Sequence, residues 1–215
     1  MPISLFNRLR KRAHREVALL QDEAVDIVFA VSDSAVLHGG TAIWRCYNGN
    51  RFSDDLDFYL PKKNSFGQLF SEKVKSRGLL LLKFKQTENT LFAKVSNGLT
   101  EIQVEAAFRK PKSHVVAEYE KADGARMHIR TLSREDLLLE KADAFIGRRL
   151  VRDLFDVFFL SKDAQLSGEE RKTLVLLVER FRKPLDEKNL EAIVYSGIAP
   201  SAEQMMQALK ARFSK

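Results

Sequence analysis

Hydrophobic residues recur at two different spacings along this chain, and the change of spacing falls near residue 131. Before it, a helical spacing over residues 4–33 gives way to short stretches in which apolar and polar residues alternate. After it, the helical spacing continues to the end of the sequence. Strands on either side of a helix, followed by an antiparallel tail, are typical of an α+β domain. We therefore predict an α+β domain over 1–131 and a helical domain over 132–215.

Turn and cap residues place the boundaries of the predicted elements. Gly78 has the position of a helix C-cap, and Asn97-Gly98 is typical of a tight turn between strands. In the first domain we expect strands over 35–38, 55–60, 79–85, 90–95, 100–108 and 126–130, and helices over 39–47 and 65–77. In the second domain we expect helices over 133–147, 151–162, 168–181, 185–195 and 201–213.

Composition narrows the class of protein. The chain has 215 residues, of which 45% are hydrophobic and 30% charged, as in ordinary globular proteins. No apolar run is long enough to span a bilayer, no secretory signal follows Met1, and a single cysteine, Cys46, suits a reducing compartment. We therefore expect a cytoplasmic protein with no membrane association.

The charge of the chain favours an anionic partner. The formal net charge is +7, which attracts polyanions such as nucleic acids over a distance. The densest basic stretch is Arg8–Arg15. Its pattern fits either the solvated face of a first helix or a nucleic-acid contact.

The strongest chemical signal is a glycine turn followed by two spaced carboxylates. Asp55 and Asp57 fall on one face of the predicted strand, and Leu56 and Phe58 fall on the other. Two carboxylates held this close repel unless a cation lies between them, and Mg²⁺ commonly joins one or two carboxylates to substrate phosphates. The turn Gly39-Gly40 opens a helix, whose N-terminus favours an anion. Together these features predict a nucleotide–metal site.

A third carboxylate comes from the strand over 100–108. Glu101 and Glu105 share a face of it, and either could join the metal site if this strand pairs with the one that carries Asp55 and Asp57. Ordinary alternation on a half-exposed sheet explains the pattern equally well. Glu105 is the better candidate because it lies deeper in the strand.

Two further candidates lie in the helical part. Lys141 falls within an apolar stripe, so it must extend to solvent, pair with a carboxylate or face a site. Asp153 and Asp156 are neighbours on the next helix, near Arg149 and Arg152. The default interpretation of these four is a surface salt-bridge cluster, in which Asp156 is unusual because apolar residues flank it.

Four segments together resemble a known family. Gly39–Ile43 and Arg51–Phe58 closely resemble the first two motifs of the AbiEii-type nucleotidyltransferases of the DNA polymerase beta-like superfamily. Leu139–Ala142 and Arg152–Val157 resemble that family's later Lys and Arg-Asp motifs. The resemblance spans roughly 36–160. It implies a polymerase beta-like nucleotidyltransferase domain with a mixed antiparallel sheet, followed by a helical C-terminal domain.

The resemblance also implies a role for each motif residue. Asp55 and Asp57 would hold Mg²⁺, or Mn²⁺ in its place, and Glu105 matches the superfamily's third carboxylate loosely. The residues expected to contact the triphosphate of an NTP are Gly39, Gly40, Thr41, Arg51, Ser53 and Lys141. Either Asp153 or Asp156 would complete the catalytic site, by positioning Lys141 or by taking part in proton transfer.

The implied reaction is transfer of a nucleoside monophosphate from an NTP to an acceptor. We expect an RNA acceptor, in particular tRNA, and the role of a toxin with a cognate antitoxin protein. The alternatives are nucleotidylation of a protein or small molecule, and a non-catalytic nucleic-acid-binding relative.

Overall fold

The computed structural model describes residues 3–62 and 65–213, and the chain divides into two compact units. The N-terminal unit comprises Met1–Asn48 and Phe52–Leu132, and the C-terminal unit comprises Gly49–Arg51 and Ser133–Lys215. The segment Gly49–Arg51, which shortly precedes the strand that carries Asp57, therefore belongs with the C-terminal helices. No helix in the described ranges is long and apolar enough to cross a membrane.

The N-terminal unit is built on a seven-stranded mixed sheet. Its helices are α1 (Leu5–Arg8), α2 (Arg12–Val31), α3 (Gly39–Cys46) and α4 (Phe66–Ser76). Its strands are β1 (Val36–His38), β2 (Leu56–Tyr59), β3 (Leu80–Gln86), β4 (Thr90–Ser96), β5 (Glu101–Ala107), β6 (Val115–Glu120) and β7 (Arg126–Thr131). The strand order is β3-β4-β5-β2-β1-β7-β6. β2 pairs with β5 and β1 with β7 in parallel, and the other neighbours are antiparallel.

Alternation along the strands separates a buried face of the sheet from a polar one. Leu56 and Phe58 are fully buried, and Phe58 packs edge-on against Phe29 of α2 at 6.1 Å between ring centroids. Asp57 and Glu105 point to the opposite face, where they are partly or fully exposed. The hydrophobic face thus fixes the register that presents the carboxylates to solvent.

The C-terminal unit is helical. It contains α5 (Arg134–Arg148), α6 (Val151–Leu160), α7 (Gly168–Glu179), a 3₁₀ turn (Glu187–Asn189), α8 (Leu190–Ile193) and α9 (Ala202–Phe213). Ser133 caps α5 by accepting a hydrogen bond from the Asp136 N–H, and Ser167 and Glu170 form a capping box at α7. Seven of the ten residues of α6 are buried, so this helix lies in the core of the unit.

The predicted elements are confirmed except in two places. The sequence analysis missed β6, whose pattern is irregular because only Tyr119 in it is fully buried. The helix predicted over 185–195 is wrong: only a 3₁₀ turn and the one-turn α8 form there. The chain instead becomes extended, because Val194 pairs with Arg51 and the Tyr195 N–H donates to the Asn50 carbonyl.

Candidate active site

The glycine turn and the first carboxylates are held together by specific contacts. Gly39 adopts φ +73°, and an ideal Cβ there would lie 3.0 Å from Asp57 Cγ and closer still to its oxygens. Only glycine fits this close approach without strain. Two residues further along α3, the Thr41 hydroxyl donates to the Asp55 carbonyl at 2.6 Å. The N-terminus of α3 and the start of β2 thus form one rigid corner.

Glu105 lies beside Asp57. The parallel register of β2 and β5 makes these two residues Cα partners, so their side chains share the polar face. Glu101 lies at the far end of β5 and its carboxylate accepts from Lys94 at 2.5 Å. The structure therefore brings Glu105, and not Glu101, next to Asp57.

These oxygen donors suit a hard divalent cation. Within 3–62 and 65–213, no three His, Cys, Asp or Glu side chains converge closely enough to enclose a metal by themselves. Mg²⁺ seldom needs such a cage, because it retains waters and takes one or two carboxylates together with substrate phosphates. Asp55 and Asp57 fit that mode of binding.

In the C-terminal unit, Lys141 belongs to a buried ionic network. Its Nζ lies 3.6 Å from Asp153 Oδ1 and 3.4 Å from Asp156 Oδ2. Arg148 donates two hydrogen bonds to Asp153, at 2.7 and 2.8 Å. Arg51 donates two to Asp156, both at 2.6 Å. Each carboxylate is thus held by an arginine in bidentate geometry, and Lys141 lies close to both.

This network corrects the prediction of a surface cluster. Asp153 and Asp156 are completely buried, and their partners are Arg148, Lys141 and Arg51. Arg149, expected beside them, ends α5 with φ +57° and donates instead to the Lys183 carbonyl.

The network contains three cations and two carboxylates. Burial alone would raise the pKa of Asp153, but hydrogen bonds from Arg148 and the charges of Lys141 and Arg148 lower it below the ordinary value. Asp153 is therefore ionised at neutral pH. Arg148 is half exposed, with 48% of its side chain accessible, so Arg51 and Lys141 are the buried cations of the network and they balance its two buried carboxylates.

Comparison with known proteins identifies the family. The sequence model described as "Nucleotidyl transferase AbiEii toxin, Type IV TA system" matches residues 26–215. The chain belongs to the AbiEii nucleotidyltransferase toxin family. It is therefore a nucleotidyltransferase with the polymerase beta-like fold. Comparison with curated protein sequences gave no significant match.

Solved structures share the fold of this AbiEii-family chain. JHP933 from Helicobacter pylori is similar at 22% identity with a TM-score of 0.65, over 92% of this chain and 90% of that one. MenT4, a nucleotidyltransferase toxin from Mycobacterium tuberculosis H37Rv, is similar at 18% identity with a TM-score of 0.63, over 95% of this chain and 85% of that one.

Several residues expected to contact the triphosphate have other partners in the AbiEii-family chain. Thr41 is fully buried and its hydroxyl proton is directed at a main-chain carbonyl. Ser53 is also buried, and its carbonyl accepts from Gln21 at 2.9 Å. Arg51 holds Asp156. Sequence reasoning missed Arg148, which precedes Asp153 by five residues across a turn, a spacing that no helical pattern reveals.

Proposed function

We propose that this family member transfers a nucleoside monophosphate from an NTP to an RNA acceptor of the tRNA class, in the cytoplasm, with Mg²⁺ as cofactor. The observation that carries the proposal is Asp57 on the polar face of the sheet, packed against the Gly39 turn, with Asp55 two residues before it and tied to α3 through its carbonyl. The glycine turn at a helix N-terminus suits the phosphates of a nucleoside triphosphate, and the carboxylates suit the divalent cation that accompanies them.

The N-terminal unit is proposed as the catalytic domain. Main-chain N–H groups at the start of α3, from Gly39 and Gly40, bind the β and γ phosphates. Asp55 and Asp57 hold the metal, with Glu105 beside them as a further ligand or as a base for the attacking hydroxyl. When bound, Mg²⁺ stabilises the charge that develops on the α-phosphate oxygens.

Lys141 is proposed to bind a phosphate of the nucleotide. Its ammonium group is buried and lies 3.4 and 3.6 Å from two carboxylates that arginines already hold, so its N–H groups can still donate to a phosphate oxygen. Asp156 and Arg51 then act as positioning residues. They fix the Lys141 ammonium group from one side. Asp153, itself held by Arg148, fixes the same ammonium group through its other contact.

The RNA acceptor is supported by charge. The net charge of +7 favours a polyanion by releasing its counterions. The Arg8–Arg15 stretch gives only weak support for RNA binding, because two of its charges have acidic partners. Arg8 pairs with Glu120, and Arg12 lies 3.6 Å from Glu16. As a member of a toxin family, the chain is further proposed to have an antitoxin protein as its partner.

Label transfer tests the proposal. The protein is incubated with Mg²⁺, each α-labelled NTP in turn and total RNA, and the products are separated by size. We expect label in a tRNA-sized band with the wild type and none with Asp55→Asn/Asp57→Asn. Asp54→Asn is the control, because it makes one such substitution at an exposed neighbouring residue and should leave the reaction intact.

Two outcomes would contradict the proposal. Label in a protein band, or in a small molecule, would retain the chemistry and refute the RNA acceptor. Equal transfer by the wild type and the double variant would refute the assigned carboxylates.

A further inference from the structure

A strongly basic cavity lies in the N-terminal unit, outside the set of residues assigned to catalysis. Its volume is about 520 Å³, which is in the range of ligand-binding pockets. Its lining includes Tyr59, Arg109, Lys110, Lys112, His114 and Arg130, and no acidic side chain. We call it the Arg109 pocket.

The cations of the Arg109 pocket lack acidic partners. Among residues 3–62 and 65–213, no ion pair joins Arg109, Lys110, Lys112 or Arg130 to a carboxylate. Arg130 donates to a main-chain carbonyl, that of Asp33, which leaves its charge uncompensated. Elsewhere in this unit, basic side chains such as Lys94, Lys121 and Arg126 are paired with carboxylates.

One of these cations is held in place. The Arg109 guanidinium donates to the Tyr59 hydroxyl at 2.5 Å and lies 4.5 Å from the centre of its ring. A cation fixed in this way loses less freedom on binding an anion than a mobile surface side chain does.

The Arg109 pocket is close to the candidate metal site within the same unit. Tyr59 follows Asp57 by two residues on the same face of β2, which is about 7 Å along the strand. His38 is the Cα partner of Asp57, and its ring stacks on Tyr59 at 3.9 Å. Asp57, His38, Tyr59 and Arg109 thus form a continuous row from the carboxylates to the pocket.

We propose that the Arg109 pocket binds backbone phosphates of a single-stranded segment of the RNA acceptor. This rests on the proposed function, in which a terminus of that RNA reacts near Asp57. A polynucleotide carries one phosphate per nucleotide, so a strand with its end at the carboxylates passes further phosphates along the row. Five basic residues spread over a loop and a strand suit several phosphates better than one.

RNA binding in the absence of NTP and metal tests the proposal independently of catalysis. The probe is a fluorescein-labelled single-stranded RNA of about 12 nucleotides, measured by anisotropy at several salt concentrations. The variant is Lys110→Gln/Lys112→Gln, at two exposed positions, and the matched control is Lys73→Gln/Lys75→Gln on exposed α4. Both remove two positive charges from the same unit.

We expect the pocket variant to bind RNA on the order of 50-fold more weakly at about 0.05 M salt. The slope of log K against log salt should fall by about 1.4, since each lost contact to a single strand removes about 0.7. Lys110→Arg/Lys112→Arg should restore both quantities. The α4 control should bind like the wild type.

The failures of this proposal and of the proposed function are distinct. Equal RNA affinity and slope in the pocket and α4 variants, or no RNA binding by the wild type at low salt, would overturn the pocket assignment. So would weaker ATP binding in the pocket variant with unchanged RNA binding, because the pocket would then take the nucleotide's phosphates. Asp55→Asn/Asp57→Asn should bind the RNA at least as tightly as the wild type, because it removes two negative charges near the strand, and its loss of transfer bears on the proposed function alone.

Discussion

Lys141 lies close to two buried carboxylates that arginines already hold in bidentate geometry, so its removal tests a structural role against a functional one. In Lys141→Met the aliphatic volume is retained and the charge is lost. Asp153 keeps both hydrogen bonds from Arg148, and Asp156 keeps both from Arg51. Two complete ion pairs therefore remain.

Opposing electrostatic contributions determine the size of the effect. At 3.4 Å and an effective dielectric constant of about 20, attraction to one carboxylate is about 5 kcal/mol. Lys141 gains this from two carboxylates, but the two arginines repel it and burial of its ammonium group costs several kcal/mol. Its distances of 3.4 and 3.6 Å also exceed those of good hydrogen bonds. We expect the free energy of unfolding to change by no more than about 1 kcal/mol.

Activity should respond very differently. If Lys141 binds a phosphate, Lys141→Met should reduce the rate of label transfer by at least about 100-fold. The unfolding free energy comes from urea titration followed by far-ultraviolet circular dichroism, and the rate comes from the label-transfer assay. Arg51→Met is the comparison, because it leaves Asp156 without its bidentate partner and should destabilise the protein by about 3–5 kcal/mol.

Two results would refute this reasoning. Destabilisation of Lys141→Met as large as that of Arg51→Met would show that the lysine is a structural counter-ion. A stable Lys141→Met variant with wild-type transfer would show that the lysine has no part in the reaction.

Two further predictions concern the N-terminal unit. Gly39→Ala and Gly78→Ala both place alanine at a positive φ, +73° and +72°, and this conformation alone should cost each variant about 1 kcal/mol in urea unfolding. Gly39→Ala should cost more and should also reduce label transfer, because only its Cβ meets a neighbour, Asp57. Equal transfer by the two variants would contradict the tight corner. Burial and, to a lesser extent, Lys11 lower the pKa of His14, which stacks on Phe52 at 3.8 Å. Because the folded-state pKa of His14 lies below the unfolded value of about 6.5, the neutral imidazole stabilises the folded state. That contribution to the free energy of unfolding is complete above about pH 6.5 and is lost as the pH falls through the lowered pKa. His14→Phe should therefore lose less thermal stability on acidification than the wild type, and parallel profiles would refute the assignment.

The local part of the site could be predicted from sequence because it depends on short-range geometry. Period-two alternation alone places Asp55 and Asp57 on one face, and the buried Leu56 and Phe58 fix that choice. The position of Glu105 was conditional, since it depended on which strands become neighbours. Strand pairing is a long-range property that local alternation does not reveal. In the structure β2 and β5 are parallel neighbours, and this pairing places Glu105 beside Asp57.

The ionic network around Lys141 could not be predicted from local sequence patterns, because it too depends on contacts between distant parts of the chain. Arg51 and Asp156 are separated by 105 positions, and no periodicity links them. The burial of α6 did leave a signal in the sequence, because apolar residues occur on every side of that helix, as in helices enclosed by a protein core. Asp153 and Asp156 should have been expected inside on that ground, and hence with cationic partners.

A second buried network shows why the geometry of its lysine, rather than burial, distinguishes the Lys141 site. In the N-terminal unit, Arg45 is fully buried and donates to Asp22, to the Tyr119 hydroxyl and to the Ala18 carbonyl. The Tyr119 hydroxyl and the Ala122 N–H in turn donate to Asp22. One cation meets one carboxylate, so this network is neutral and leaves no charge for a ligand. It stabilises the fold by joining α2, α3 and β6, and loss of Arg45 would leave Asp22 buried without a counter-ion. The buried part of the network around Lys141 is also balanced, with Arg51 and Lys141 facing Asp153 and Asp156. Its lysine differs in geometry, because the ammonium group lies 3.4 and 3.6 Å from carboxylates that arginines already hold with two hydrogen bonds each, so its N–H groups can still donate to a phosphate oxygen.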